Sequence, residues 1–438
     1  MHSLADANFR GESHPRPAGQ ESQTPALQLI ITAPNFYLIG SAPQQRSEAK
    51  VEVPEPTALA VQYHRSGNIV WAIGIALSVL IPGLLLFSGI SARLWATAQR
   101  WGRRWYPSLA IYALLFTLST ALMAFPLAYY EGFVRQHAYG LSNESFQSWA
   151  TDWLKSVALS GVGLALVLWI PYLLLRKSPR RWWLYAGLAT LPLATLLLMV
   201  SPALIDPLFN DFTRLKDPAL ERQIVALAGR AGIPQSRVYQ VDKSDETNTI
   251  NAYVTGVGGT RRIVLWDTIL AKLESDEIEF VVAHEIGHFV LRHVLALIVL
   301  ATVLGTVSFY VVHRVAGRLL LRFGPRFGFS RLSEPASLPL LVLLGTVVSL
   351  IATPLMLAFS RYQEHEADRF ALELTQNNRA AALAFVRIQK ENLAVPRPGP
   401  LYMTWRASHP SLGERVEFAN HYRPWEEGKP LRYGELLK

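Results

Sequence analysis

Residues 284–288 read His284-Glu285-Ile286-Gly287-His288, and an apolar run at 294–312 follows almost at once. Two histidines four positions apart lie on one face of an α-helix, about 40° apart around its axis, so both imidazoles reach one metal ion. Glu285 stands beside the first histidine, placed to hold a water rather than the metal itself. Two ligands and a general base on one helix is the arrangement of a catalytic zinc centre. The flanks predict that helix. Ser275 reads as its cap, Asp276, Glu277 and Glu279 favour its positive N-terminal end, and Arg292 and His293 lie towards its C-terminal end. A chance pair of helix-surface histidines is the alternative, and the rest of the chain has to separate the two.

Around this motif the chain carries six long apolar runs, near 69–90, 107–129, 157–175, 182–200, 294–312 and 338–359. Each approaches the ~20 residues that cross a bilayer core, and buried core helices do not come six at a time at this length. Trp95, Trp101, Trp105, Trp182 and Trp183 flank the runs as interfacial anchors. Half of the 438 residues are hydrophobic and only 17% are charged, against about 25% in an ordinary soluble domain. There is no cysteine, which excludes disulfides, thiolate zinc sites, a cysteine nucleophile and lipidation of this chain at cysteine. The formal charge of +9 would suggest nucleic acid in a soluble protein. Here the arginines cluster beside apolar spans, so membrane lipid headgroups are the expected partner and nucleic acid is not.

These features divide the chain into five parts. Residues 1–66 are rich in Pro, Gln, Ser and charge and read as disordered or loosely packed. A short apolar stretch at 27–42 within them resembles a degenerate signal core but lacks a basic cluster before it, so a stray apolar segment is the preferred reading. Residues 67–200 hold four spans, 201–293 an extramembrane domain ending in the metal-motif helix, 294–359 a two-span hairpin, and 360–438 a helical C-terminal segment. Inside the extramembrane domain an amphipathic helix is predicted near 217–232, with strands at 237–241, 249–254 and 261–266. The glycines at 256–259 read as the turn of a hairpin rather than a phosphate loop, since no Lys-Ser/Thr pair follows. The fold class is therefore a mainly α polytopic membrane protein with a zincin-like α+β domain built on a small β-sheet.

A catalytic zinc needs a third protein ligand from the same side of the membrane. Two spans separate His288 from Ser360, so the chain returns to that side, which admits Glu364, Glu366, Asp368 and His409 and excludes the Arg-rich 314–337. Glu364 and Asp368 are four apart and share a helix face. Glu364 can serve as a ligand with Asp368 behind a ligand imidazole, or can be a solvated helix carboxylate.

At these residues the chain resembles the type I CAAX prenyl endopeptidases, membrane-integrated zinc metalloproteases whose relatives include a bacterial heat-shock membrane protease. Asn251-Ala252-Tyr253 and Arg261 through Thr268 are similar to the strand pair that precedes the metal helix in that family. Ser360-Arg361 with Glu364 and Ala367-Asp368 is similar to its third-ligand helix, and His409-Pro410 with Arg415 to its C-terminal motif. Tyr139-Gly140 and Pro207-Leu208-Phe209-Asn210 are also similar, and the resemblance covers about residues 60–425.

The resemblance implies that His284, His288 and Glu364 ligate one zinc ion, with Glu285 as the base and Asp368 supporting a ligand imidazole. It implies that Asn251 binds substrate backbone beside an edge strand, and that His409 and Arg415 position or stabilise the scissile carbonyl. A turn before a helix is the plain structural reading of His409, and a structural ion pair that of Arg415. The implied substrate is a peptide or protein, a prenylated C-terminal cysteine being the family's best-known case; quality control of membrane proteins without prenylation is the alternative. A non-enzymatic transporter or scaffold would leave Glu285 without a function. Two departures stand out: family members commonly have seven spans where six are counted here, and Thr249-Ile250 replaces the usual Ser-type residues. Counting Arg and Lys in the short loops favours an exoplasmic catalytic domain.

Overall fold

The computed structural model describes residues 49–234, 236–256 and 262–438. The signal-like stretch at 27–42, the first part of the segment expected to be loosely packed, the glycine turn beyond Gly256 and Arg261 lie outside the described residues. Helix α1 (Ala58–Phe87) begins where Thr57 accepts the N–H of Ala60. It starts inside the stretch assigned to loose packing, and the extended residues before it are also held: Asn420 exchanges two hydrogen bonds with the Val51 backbone, at 3.0 and 2.8 Å.

Next come the short α2 (Ile90–Gly102) and α3 (Trp105–Tyr129), which runs through a π-helical turn into α4 (Arg135–Ala138). Helices α5 (Phe146–Val167) and α6 (Trp169–Lys177) form nearly one rod, followed by α7 (Trp182–Val200). The extramembrane part supplies β1 (Phe212–Arg214), α8 (Pro218–Arg230), β2 (Arg237–Val241), β3 (Ala252–Thr255), β4 (Arg262–Trp266) and α9 (Asp267–Lys272). The metal-motif helix is α10 (Ser275–Val290). Helices α11 (His293–Phe327) and α12 (Leu338–Thr375) make the second membrane hairpin. Then follow α13 (Asn378–Glu391), α14 (Pro400–Trp405) and α15 (Leu412–His421).

Among the described residues six helical stretches are long and apolar enough to cross a membrane. Their outer faces leave Leu80, Leu122, Leu166, Leu188, Val303 and Ile351 exposed, as lipid-facing helices must. Inside the bundle the few polar groups satisfy one another. Tyr112 shares a hydrogen bond with Ser91, Ser91 donates to the Ala336 carbonyl, and Tyr172 donates to that of Pro335. These bonds draw the segments after the first, third and fifth spans to one end of the bundle.

The sheet has four strands in the order β1-β2-β4-β3, with β2 and β4 parallel and both outer pairs antiparallel. Strands β3 and β4 pair antiparallel as predicted, β3 beginning three residues and ending one residue later than expected; β1, three residues without an apolar alternation, is additional. Val238, Ile263 and Leu265 on the sheet meet Ile224 and Leu227 of α8 and Ile278 and Val282 of α10, and Phe370 of α12 closes the same core. The helix cap also differs from expectation. Glu274, not Ser275, caps α10, its carboxylate and that of Glu277 each taking a backbone N–H in a capping box. Arg292 stands between α10 and α11 in a left-handed conformation, φ 57°, and breaks the two helices apart.

Candidate active site

Helices α10 and α12 bring the motif residues together. Gly287, one of the two unassigned positions of the motif, makes the approach possible: a β-carbon there would lie 3.1 Å from the Phe370 ring and 3.4 Å from the Ala367 backbone. Opposite it, Glu364 faces both histidines. His284 Nε2 and His288 Nε2 are 3.1 Å apart, His284 Nε2 lies 3.2 Å from Glu364 Oε2, and His288 Nε2 lies 3.3 Å from Glu364 Oε1. Ligands about 2.0–2.1 Å from a tetrahedral zinc stand roughly 3.3 Å from one another, so the three donors are spaced as that ion requires. Glu364 Oε2 is buried without a hydrogen-bonded partner, an acceptor awaiting a cation.

The groups behind the donors fit the same reading. His284 Nδ1 donates to Asp368 Oδ1 at 2.8 Å, and Arg415 makes a fork onto the same carboxylate at 2.6 and 2.8 Å. Such a partner fixes the tautomer that turns Nε2 towards a metal. Burial alone would lower the His284 pKa, but the Asp368 and Glu364 carboxylates outweigh it and raise it to about 10. The two carboxylates thus make this a place that favours positive charge. His288 Nδ1 lies 3.0 Å from His293 Nδ1, and the His293 carbonyl accepts Gln363 Nε2 at 3.0 Å. Sequence reading took His293 only as a helix-end charge. Its approach depends on the break at Arg292, and no helical period carries across such a break.

Asn251, Ala252, His284, Glu285, His409 and Arg415 all line one cavity of about 740 Å³. Burial raises the Glu285 carboxyl above its ordinary range, countered in part by the two histidines. His409 opens onto the cavity with Nε2 3.3 Å from Glu364 Oε2, while Nδ1 is 2.8 Å from the Ser408 hydroxyl. Protein around it lowers its pKa to about 4, so it is neutral at pH 7. Asn251 precedes the edge strand β3, and its carbonyl accepts the Trp266 N–H at 3.2 Å. The approach to that strand is fastened by the loop after α4: Asn143 and Asn248 exchange side-chain hydrogen bonds, and Thr247 donates to the Leu141 carbonyl. Glu366, the other admitted glutamate, turns away and binds Arg369, Arg432 and Tyr433.

Comparison with known proteins gives the same centre a family. A family model described as Peptidase family M48 matches residues 214–423. One described as CAAX prenyl protease N-terminal, five membrane helices, matches 55–211. In that stretch this chain has four spanning rods, with the short α2 as a further helix. The chain is 37% identical over 379 residues to an uncharacterized metalloprotease, YhfN, of Bacillus subtilis, covering 86% of this chain and 88% of that one. It is 32% identical to CAAX prenyl protease 1 of Saccharomyces cerevisiae, covering 70% and 71%. The crystal structure of S. mikatae Ste24p superposes with a TM-score of 0.69 at 25% identity, covering 82% of this chain and 87% of that one. The chain therefore belongs to the CAAX prenyl protease family of M48 peptidases and is a multi-pass membrane metalloendopeptidase.

Proposed function

We propose that the chain hydrolyses peptide bonds with a single zinc ion held by His284, His288 and Glu364. The observation that carries this is the convergence of the three donors at tetrahedral spacing, with Glu285 on the same helix facing the cavity. Zinc, when bound, supplies Lewis-acid polarisation and makes water a nucleophile near neutral pH. Glu285 takes the proton of the attacking water and delivers it to the leaving amine, and its raised pKa suits both transfers. His409, neutral and with Nδ1 held by Ser408, presents Nε2–H to the carbonyl oxygen as negative charge develops there. Asp368 fixes His284, and Arg415 holds Asp368 while forming part of the cavity wall.

Substrate backbone would extend β3 from its free edge, with Asn251 as a further partner. Such pairing reads little side-chain identity, so a peptide with a prenylated C-terminal cysteine, named for the relatives, is the first substrate to test. In the same reading the arginines beside the spans serve lipid headgroups, and the catalytic domain lies on the exoplasmic side. Metal analysis of purified protein, with cleavage assays on a prenylated peptide and its unprenylated control, tests the reading. A metal-free or inactive preparation that zinc does not restore would oppose it.

A further inference from the structure

The cavity that holds Glu285 has a second pole. Its far wall is formed by Tyr63 and Gly67 of α1, Arg135 of α4, and Arg406 directly after α14. Arg135 is only 5% exposed. Its Nε donates to Ser66 Oγ at 3.0 Å and its Nη2 to the Tyr63 carbonyl at 2.7 Å. Arg406 donates to the Asn68 amide oxygen and lies 4.9 Å over the Tyr402 ring. Both guanidiniums turn to one point of α1: a β-carbon on Gly67 would stand 2.9 Å from Arg135 Nη2 and 3.6 Å from Arg406 Nη2.

Among the described residues neither arginine has a carboxylate within 4.0 Å. Glu131 is the one carboxylate on this wall; it is exposed and bonded to neither. Two like charges thus stand together at one glycine, Arg135 buried over the Tyr63 ring and Arg406 partly exposed towards the cavity, an arrangement that an anion entering the cavity would relieve. Burial lowers the Arg406 pKa and the charge of Arg135 acts in the same direction, with Tyr402 and Glu131 acting against them. Planar guanidiniums without carboxylate partners suit a carboxylate or phosphate.

The place of this pole relative to the site narrows the choice. Ala407, Ser408 and His409 link Arg406 to the catalytic pole, and three residues hold the Arg406 and His409 backbones within about 11 Å of each other, the side chains adding to that span. An extended peptide covers that distance in a few residues at about 3.3 Å each. The wall itself is made of α1 and α4, which suits a chain end better than a chain passing through. The geometry points to Arg135 and Arg406 as a carboxylate subsite that takes the free C terminus of the substrate peptide. This rests on the peptidase reading above.

Two peptides of one sequence, ending in a free acid or an amide, test it. In the native enzyme the acid should have a kcat/KM at least tenfold higher, mostly through KM. Arg406→Gln should reduce the difference to under threefold by slowing the acid alone, and turnover of the amide reports that the variant is folded. Gly67→Ala, whose methyl occupies the cradle, should raise KM for the acid in the same selective way. Equal rates for acid and amide in the native enzyme would overturn the assignment. So would competition by phosphatidylglycerol vesicles, but not phosphatidylcholine vesicles, that raises KM for both peptides and disappears in Arg406→Gln, since the occupant would then be a headgroup. Kd values measured on Glu285→Gln carry the same comparison without chemistry: a tenfold preference for the acid is expected and equal affinity opposes it. Failure of the native enzyme to cleave either peptide would count against the peptidase reading instead.

Discussion

Among the described residues Glu285 makes no hydrogen bond to His284, His288 or Glu364, and that separation makes its role measurable. Glu285→Gln should keep zinc at one per chain and lose at least about a hundredfold in kcat, the range expected for a lost general base; metal analysis beside a cleavage assay checks both. Glu364→Ala should lose zinc and activity together. Glu366→Ala should keep zinc and lose thermal stability, because Glu366 is buried against Arg369, Arg432 and Tyr433. Zinc loss from the second variant and not the first would put the ligand in the wrong register. Asp368→Asn should weaken zinc by roughly tenfold to a hundredfold, since it loosens His284 without removing a ligand; an unchanged zinc Kd would leave Asp368 serving Arg415 alone. The helical period made Glu364 and Asp368 readable as a pair. It could not reveal that Arg415 forks onto Asp368, because 46 residues of chain lie between them in a register that only packing sets.

Between elements, the close approach of α10 and α12 decides whether two ligands and a third become one site. Gly287 is the residue that allows it. Gly287→Val places bulk against Phe370 and the Ala367 backbone, and backbone cannot swing aside as a side-chain end can. The variant should therefore bind zinc more weakly although every donor is present, and should unfold at lower temperature. Zinc titration and thermal melts check this, and native affinity in the variant would show that α12 shifts without moving Glu364. The sequence exposed α10 through its histidine spacing and α12 through hydropathy and brought Glu364 to the side of His284, but it did not reveal Gly287 as their point of closest approach: a glycine inside a helix reads first as a cost. Strand β1 escaped notice for the opposite reason, since three residues leave no period to detect. The cap moved to Glu274 because a glutamate there gains a reciprocal partner in Glu277, which single-residue preference does not weigh.

At the scale of the molecule, six spans and the return of Glu364 to the side of His284 were legible in advance, because hydropathy and parity need no side-chain geometry. The proposed orientation rests on charge. Arg93, Arg100, Arg103 and Arg104 follow the first span, and Arg176, Lys177, Arg180 and Arg181 follow the third. Arg314, Arg318, Arg322, Arg326 and Arg331 follow the apolar part of the fifth, most of them on the continuing helix α11 rather than on a loop. The bonds of Ser91 and Tyr172 to the Pro335-Ala336 backbone gather these three segments at one end of the bundle. The short connection at the other end, 131–155, carries only Arg135 and Lys155. Cytoplasmic loops carry the excess of Lys and Arg, and large domains count little towards it, so the orientation we propose puts the Arg-rich end in the cytoplasm and the catalytic domain opposite it. A reporter inserted between Gly256 and Thr260, in the connection from β3 to β4, should then react with a membrane-impermeant label added outside intact cells or spheroplasts. A site protected from that label, in a variant that still cleaves substrate, would reverse the orientation and turn the arginine clusters outward.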